Sequence, residues 1–252
     1  SLLISSQNTY TPMNVNSYKY SPSTLPARYD GQGGLAERTI YQSFQLMSEN
    51  TATYSKRIGR NHRLKAMLGF SVSNKIAELN SISANGIIDD NLKWNNLNAI
   101  STKEGYTISS ERSQIIRESF LTRINYNFKS NYYLTFTARA DGSSNFAENN
   151  KWAFFPSGAF KWNIKNEPFM RKVRWIDNLS IRLSAGITGN DAISPYRSLG
   201  VYGSSTNGAV FEGSQSAGFY PSRIPNPDLT WEKTKSANVG LDFSAFNGRF
   251  NL

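Results

Sequence analysis

The chain has 252 residues, no cysteine, a single histidine and a formal net charge of +10. Zero cysteine excludes disulfides, thiolate metal sites and thiol catalysis, and His62 alone leaves no multi-histidine zinc site and no partner motif for a histidine-based triad. No run of 18 apolar residues is present, which excludes a membrane-spanning helix but not a membrane β-barrel, whose strands alternate and keep hydropathy low. Lys and Arg are scattered one per strand or turn rather than clustered, so the basic excess reads as polar faces and turns, not as a nucleic-acid surface.

Residues 1–35 read as an irregular loop. Tyr10, Tyr18, Tyr20 and Tyr29 sit among Ser, Asn, Thr and Pro and lead into Asp30-Gly31-Gln32-Gly33-Gly34, with no sustained period. Residues 37–57 put Ile40, Phe44, Leu46, Ala52 and Tyr54 on one parity. After a tight turn at 58–61, residues 62–77 alternate Leu64, Ala66, Leu68, Phe70 and Val72 against Arg63, Lys65, Ser71 and Ser73. Period two is the strand signal, because successive side chains point to opposite faces. Residues 78–111 read as one long polar loop, a length that is usually functional. Its Asp89-Asp90-Asn91 offers the clustered oxygens calcium prefers, but without EF-hand spacing, so a solvated loop is the simpler reading and no metal site is assigned.

Residues 112–128 form the next strand, with Phe120, Ile124, Tyr126 and Phe128 opposed to Arg123, Asn125 and Asn127. A short turn at 129–131 enters the most regular stretch of the chain, 131–165. Tyr132, Leu134, Phe136, Ala138 and Ala140 alternate with Tyr133, Thr135, Thr137, Arg139 and Asp141. Beyond a polar loop at 142–150, Trp152, Phe154, Phe160, Trp162 and Ile164 share a parity against Ser157, Lys161, Asn163 and Lys165. A connection at 166–178, compatible with a short helix, leads to a strand at 179–187. The loop 188–228 carries Tyr196, Tyr202, Phe211, Phe219 and Tyr220, a strand follows at 231–243, and Phe246-Asn247-Gly248 is a hairpin signal. Long and short connections alternate throughout. The expected fold is all-β and antiparallel. Alternation alone does not separate a soluble sandwich from a transmembrane barrel. Runs of about 10 residues or more match a tilted membrane-crossing strand, and long loops gathered at one end match a barrel.

Several motifs carry a resemblance. Ala138-Arg139-Ala140-Asp141-Gly142-Ser143-Ser144-Asn145-Phe146 with Lys151-Trp152-Ala153-Phe154-Phe155-Pro156-Ser157, then the strand ending Thr188-Gly189-Asn190, then Asn226-Pro227-Asp228-Leu229-Thr230-Trp231-Glu232-Lys233-Thr234, occur in the order of the SusC/RagA-type TonB-dependent outer-membrane transporters. The resemblance covers about half of the chain; residues before 124 match only in strand style. It implies an antiparallel transmembrane β-barrel segment, about eight strands of a roughly 22-stranded barrel, with residues 1–252 as part of the barrel domain and the plug, signal peptide and remaining strands outside it. It further implies TonB-dependent uptake of a glycan or peptide, a SusD-like surface lipoprotein as partner, TonB acting through regions outside this chain, outer-membrane lipid around it, no nucleic acid, no cofactor and no enzymatic activity. The loop aromatics Trp94, Tyr106, Tyr196, Tyr202, Phe211, Phe219 and Tyr220 are the candidate substrate contacts. Arg123, Arg139, Asp141, Lys161 and Arg182 are the candidate lumen-facing charges. No catalytic residue is assigned. A soluble β-rich carbohydrate-binding module is the competing reading, and an open sheet of this kind is not expected to fold alone.

Overall fold

The computed structural model describes residues 1–22, 34–87, 89–100, 105–205, 210, 211, 214, 215 and 218–252. Tyr29 and the run Asp30, Gly31, Gln32 and Gly33 lie outside them. The strands are β1 (Leu2–Ser21), β2 (Gly34–Ile58), β3 (His62–Ile87), β4 (Tyr106–Phe128), β5 (Tyr132–Ser143), β6 (Trp152–Asn163), β7 (Ile176–Asn190), β8 (Val201–Ser205), β9 (Val210–Phe211), β10 (Ser214–Gln215), β11 (Gly218–Arg223), β12 (Glu232–Ala245) and β13 (Phe250–Asn251). One sheet runs β1-β2-β3-β4-β5-β6-β7-β12-β13, in chain order apart from two small hairpins, β8 with β11 and β9 with β10. Eight long strands and the two-residue β13 therefore answer the expected count, and every pairing from β4 onward is antiparallel.

Several expectations are corrected. Residues 2–21 are a strand, not a loop: nearly all of its side chains are exposed, so no continuous buried face imposes a hydrophobic period, and backbone pairing with β2 defines most of the element. Residues 78–87 continue β3 and residues 106–111 open β4, which shortens the supposed loop to 88–105. Their apolar residues, Leu79, Ile82, Ala84, Ile87, Tyr106 and Ile108, do not keep to one parity among the polar ones, which hid them from a periodicity test. Strand β6 stops at Asn163, and Ile164–Asn166 and Pro168–Met170 are single 3-10 turns, so Ile164 and Lys165 leave the alternation. Strand β7 is longer at both ends than 179–187. The loop 188–228 contains the two hairpins.

The chain divides into two compact units. The first comprises Ser1–Asn8, Ser48–Ser73 and Ile116–Leu252. Its register sorts side chains strictly by face, because directly opposed residues point the same way. One face carries Phe120, Ala140 and Phe154 in a row, then Ile124 and Phe136, then Tyr126, Leu134, Phe160 and Leu183. The other carries Ser119 with Asp141, Arg123 with Thr137 and Ser157, Asn125 with Thr135 and Ser184's partner Ala159, and Lys161 with Arg182. Among the described residues nothing covers the apolar face. Leu134 is 53 % exposed, Phe154 57 % and Val239 83 %. A dozen such half-exposed side chains each forgo about 1 kcal/mol of burial, on the order of 10 kcal/mol together and comparable to the whole stability of a domain. Water is a poor solvent for this face.

The second unit comprises Thr9–Met47 and Asn74–Ile115. Its core is small: Ala36, Ala84 and Ile87 are buried, with Tyr20, Leu97, Ile100 and Tyr106 packed around them. An isolated bridge between Ile87 and Ile100 folds the connection back onto the end of β3.

The face assignment predicts opposite outcomes for the same substitution in the full-length protein. Val239→Arg, on the apolar face, is expected to cost about 2–4 kcal/mol if it sits at mid-bilayer, whereas Ser236→Arg, on the polar face, is expected to be near neutral. Folding yield into lipid vesicles, read by heat-modifiable gel migration, checks both; equal yields contradict the assignment.

Candidate functional site

The first unit holds two clusters on its polar side. At the end where β5 meets β6 through residues 144–151, Arg117 Nε lies 2.5 Å from Asp191 Oδ2. The same carboxylate oxygen accepts Ser143 Oγ at 3.0 Å. Asn145, fully buried, donates through Nδ2 to the carbonyls of Asp191 and Ile193 at 3.3 and 3.1 Å. Its Oδ1 meets no protein donor among the described residues. Beneath this network Phe146, Ala153, Phe155 and Trp231 form the buried core, with Ile187, Ile193 and Leu229 against it. Trp231 meets Phe146 at 4.8 Å and Phe155 edge-on at 5.4 Å between centroids, and its Nε1 donates to the Lys151 carbonyl at 3.0 Å. The glycine of Thr188-Gly189-Asn190 is explained locally: a Cβ at Gly189 would run into the Phe155 ring. Polar and aromatic contacts together clamp both ends of the connection 191–231 onto β5 and β6.

Next to the clamp lies a cavity of about 410 Å³ whose walls include Arg117, Arg139, Asp141, Asp191, Phe155 and Trp231. Arg139 Nε is 2.7 and 2.8 Å from the two oxygens of Asp141, and its Nη2 donates to Ser119 Oγ at 3.1 Å. The cavity thus has two guanidinium–carboxylate pairs and an aromatic floor, a combination that offers donors, acceptors and an apolar surface together. Nearer the short turns, Asp242 collects Arg182 Nη2 at 2.5 Å, Ser180 Oγ at 3.0 Å and Lys161 Nζ at 3.7 Å.

The register brings Arg123, Arg139, Asp141, Lys161 and Arg182 to one face, as their parity requires, and pairs Arg123 Nε with Thr137 Oγ1 at 3.3 Å. The loop aromatics are dispersed. Tyr202 stands opposite Pro221, and Phe219 opposite Ser204, so these two rings share one side of the β8–β11 hairpin; Tyr220 lies opposite Gly203, on the other side. They are 73 % and 77 % exposed. Tyr196 has a left-handed backbone, φ 62°, and its carbonyl accepts Arg223 Nη2 at 2.8 Å. Phe211 opposes Ser214 in the β9–β10 hairpin; its side chain lies outside the described residues. In the second unit Trp94 stacks on Tyr18 at 5.9 Å, with Lys93 over the Trp94 ring and Arg38 over Tyr18. Tyr106 is not a loop tip but the start of β4, packed in that unit's core, with its hydroxyl on Asn98 Oδ1 at 3.3 Å. The Asp89-Asp90-Asn91 run is engaged by protein: Asp89 Oδ1 accepts the Asn91 amide at 2.9 Å, and Asp90 accepts the Tyr20 hydroxyl. No cluster of three His, Cys, Asp or Glu residues suited to a metal ion occurs among the described residues.

The clamp residues Arg117, Asn145, Asp191 and Trp231 escaped assignment from sequence. Ion-pair partners 74 residues apart have no periodic signal, and the motif residues that hold Asn145 and Trp231 carried a resemblance but no role.

The sequence profile described as "TonB dependent receptor-like, beta-barrel" matches residues 3–252. The chain belongs to the TonB-dependent receptor β-barrel family. TonB-dependent receptor P26 of Formosa agariphila is 37 % identical over 246 residues, 97 % of this chain and 24 % of that protein. TonB-dependent receptor SusC of Bacteroides thetaiotaomicron is 39 % identical over 135 residues, 52 % of this chain and 13 % of that protein. Among solved structures, that of the RagAB peptide transporter superposes with a TM-score of 0.83 at 27 % identity, covering 98 % of this chain and 27 % of the other. The RagAB peptide importer in its "open-open" state gives 0.82 at 28 % identity. The chain spans about a quarter of the length of the first of these receptors. A family of receptors, with an all-β antiparallel sheet, agrees with the fold and the non-enzymatic reading of the sequence.

At the opposite end of the first unit, outside the strands, Glu167 is a third polar centre. Its Oε1 accepts Asn131 Nδ2 and Trp162 Nε1, each at 3.2 Å. The Tyr132 hydroxyl first, then Trp162, Asn131 and the charge of Lys129, hold its carboxyl below the usual glutamate range. A carboxyl with a lowered folded-state pKa stabilises the fold above its ordinary value near 4.5, and that stabilisation fades as pH falls through the lowered value. Glu167→Gln in the full-length receptor is therefore expected to flatten the acid limb of thermal stability below about pH 4.5 while leaving its shape near pH 7 unchanged. An acid limb identical to the parent's removes Glu167 from the titrating groups. For the clamp, Asp191→Ala is expected to raise the rate of protease nicking within 191–231 on intact cells severalfold, and Trp231→Ala to cost about 3–5 kcal/mol; parent-like nicking by Asp191→Ala means the connection is held without the Arg117 pair.

Proposed function

We propose that this chain forms about eight strands of the wall of an outer-membrane transporter that takes up a glycan or peptide through TonB, in concert with a SusD-like surface lipoprotein. The single observation that carries this reading is the two-faced sheet. Its apolar face is uncovered while its polar face pairs charges with one another, as in Arg139 with Asp141 and Arg182 with Asp242. Such a sheet suits lipid on one side and a watery lumen on the other. Arg123, Arg139, Asp141, Lys161 and Arg182 then wet the lumen and meet the plug that fills a barrel of this width. Charged pairs on that wall cost little because water reaches them, unlike the same pairs in lipid.

The relatives support the reading. The solved neighbours are named as peptide transporter and peptide importer, and one curated relative as SusC. The exposed side of the β8–β11 hairpin, with Tyr202 and Phe219, is the candidate capture surface, since a flat ring suits both a sugar face and a peptide side chain. A soluble binding module needs a second layer over Leu134, Phe154 and Val239, and the family of receptors gives it no support.

Uptake of fluorescent oligosaccharides and peptides by cells carrying the full-length receptor tests the proposal. Accumulation is expected to stop on deletion of the receptor and on collapse of the proton gradient. Tyr202→Ala with Phe219→Ala is expected to raise the KM of uptake roughly tenfold, at about 0.7 kcal/mol per ring. Uptake indifferent to deletion of the receptor sinks the transport assignment; an unchanged KM sinks only the hairpin's part in it.

A further inference from the structure

The short-turn end of the first unit is strongly and asymmetrically charged. Its connections are 59–61, 129–131, 164–175 and 246–249. They hold Arg60, Lys129, Arg171, Lys172, Arg174 and Arg249 exposed, and none of the six belongs to an ion pair among the described residues. Lys165, the seventh cation of these connections, is turned onto the Val173 carbonyl at 2.5 Å. Backbone bonds set the turns side by side: Lys129 N to Asn61 O at 2.7 Å, Asn163 N to Asn131 O at 2.8 Å and Phe246 N to Trp175 O at 2.9 Å. The connections at the other end of this unit, 144–151 and 191–231, carry Lys151, Arg197 and Arg223 against Glu148, Asp191, Glu212 and Asp228.

Two acidic groups stand near the cations, and both are occupied by the protein itself. Glu167 accepts Asn131 and Trp162, and Asp177 Oδ2 accepts the Gly248 amide at 3.0 Å. All six cations are exposed, and none has an ion-pair partner within contact distance among the described residues, although the charge of Lys129 acts on Glu167. Beside them the apolar face ends in a band of rings. His62 and Phe128 lie 4.9 Å apart, Phe128 and Tyr132 6.1 Å, Tyr132 and Trp162 6.2 Å, and Trp175 stacks on Phe246 at 5.7 Å. Lys129 Nζ lies 5.1 Å over the Phe128 ring, joining the cationic collar to the aromatic band. Amphipathic rings settle where acyl chains give way to headgroups, and long basic side chains next to them reach the phosphates.

We propose that this collar binds the phosphodiester headgroups of anionic phospholipids in the leaflet on the short-turn side. The proposal rests on the membrane-barrel reading given above. The aromatic band fixes the depth, and Arg60, Lys129, Arg171, Lys172, Arg174 and Arg249 supply donors that fork onto phosphate oxygens. Continuity of the collar with the uncovered apolar face favours lipid over an acidic protein as the occupant.

The experiment uses the full-length receptor reconstituted in phosphatidylcholine bilayers, with spin-labelled phosphatidylglycerol or spin-labelled phosphatidylcholine as the probe. A preference for the anionic probe of at least about threefold is expected, weakening in high salt. It is expected to fall towards unity when Lys129, Arg171, Lys172, Arg174 and Arg249 are all changed to Gln, and to persist in Arg197→Gln, whose cation lies at the other end. Lys129→Gln with Arg249→Gln, a milder change, gives an intermediate value and covers the case in which the fivefold variant fails to insert. No preference in the parent, or a parent-like preference in both variants, overturns the proposal. Loss of uptake with lipid preference unchanged also overturns it and hands the collar to an acidic protein. A parent receptor that stays in solution without entering bilayers fails the membrane reading itself, whereas one that inserts without preference fails only the collar.

Discussion

The constraint on which everything else depends is that the sheet of the first unit is inside out. In a water-soluble domain the large apolar side chains are covered and the charges are not. Here Phe120, Leu134, Phe136, Phe154 and Val239 are uncovered, while Asp242 collects Lys161, Ser180 and Arg182 and Asp141 collects Arg139. Backbone polarity adds a second demand. In hydrocarbon every N–H and C=O needs a partner within the protein, so each strand must be fully paired with its neighbours. The antiparallel register unbroken over twelve residues of β4 and β5, and eleven of β5 and β6, meets that demand. Membership in a β-barrel receptor family is the consequence of a sequence written to satisfy both conditions at once.

How much was legible in the sequence follows from the same physics. Where one face must be apolar and the other polar, parity is enforced, and the placement of Arg123, Arg139, Asp141, Lys161 and Arg182 on one face could be read directly. Where both faces are polar, nothing enforces parity. Strand β1 and the far ends of β3 and β4 lack the division into an apolar and a polar face: their apolar residues fall on both parities among Ser, Asn and Thr, and they passed for loop. A strand held only by its backbone bonds leaves little trace in side-chain pattern. The contacts of Arg117 with Asp191 and of Trp231 with Lys151 were illegible for another reason: they join residues 74 and 80 positions apart, and a single sequence carries no record of such pairings. Tyr106 shows the converse case. An aromatic among polar residues looks like a loop-tip ligand contact, yet its ring serves a small core.

The two ends of the first unit solve different problems with similar residues. At the long-connection end, Arg, Asp, Asn and Trp are consumed internally. Arg117 is paired, Asn145 donates twice to carbonyls and Trp231 is buried, so these side chains hold a 41-residue connection rather than meet a ligand themselves. What remains available there is the cavity they enclose and the exposed rings of the hairpin beyond. At the short-turn end the allocation is reversed. The carboxylates are consumed internally and the cations are left outward.

That reversal is an argument about solvent, not only about charge. An exposed cation in water has its hydration shell and needs no partner, so a scatter of unpaired lysines on a soluble protein says little. Six cations unpaired among the described residues, on turns bound side by side and next to two groups of stacked rings and an uncovered apolar face, suit a boundary better than bulk water. Their carboxylate neighbours are the groups that an anionic surface would repel, and both accept hydrogen bonds from the protein: Glu167 from Asn131, Tyr132 and Trp162, and Asp177, itself exposed, from the Gly248 amide of the next turn. Internal hydrogen bonds to these two carboxylates therefore do two things. They tie the β6–β7 connection to the neighbouring turns, and they engage both carboxylates beside the collar with donors of the protein itself.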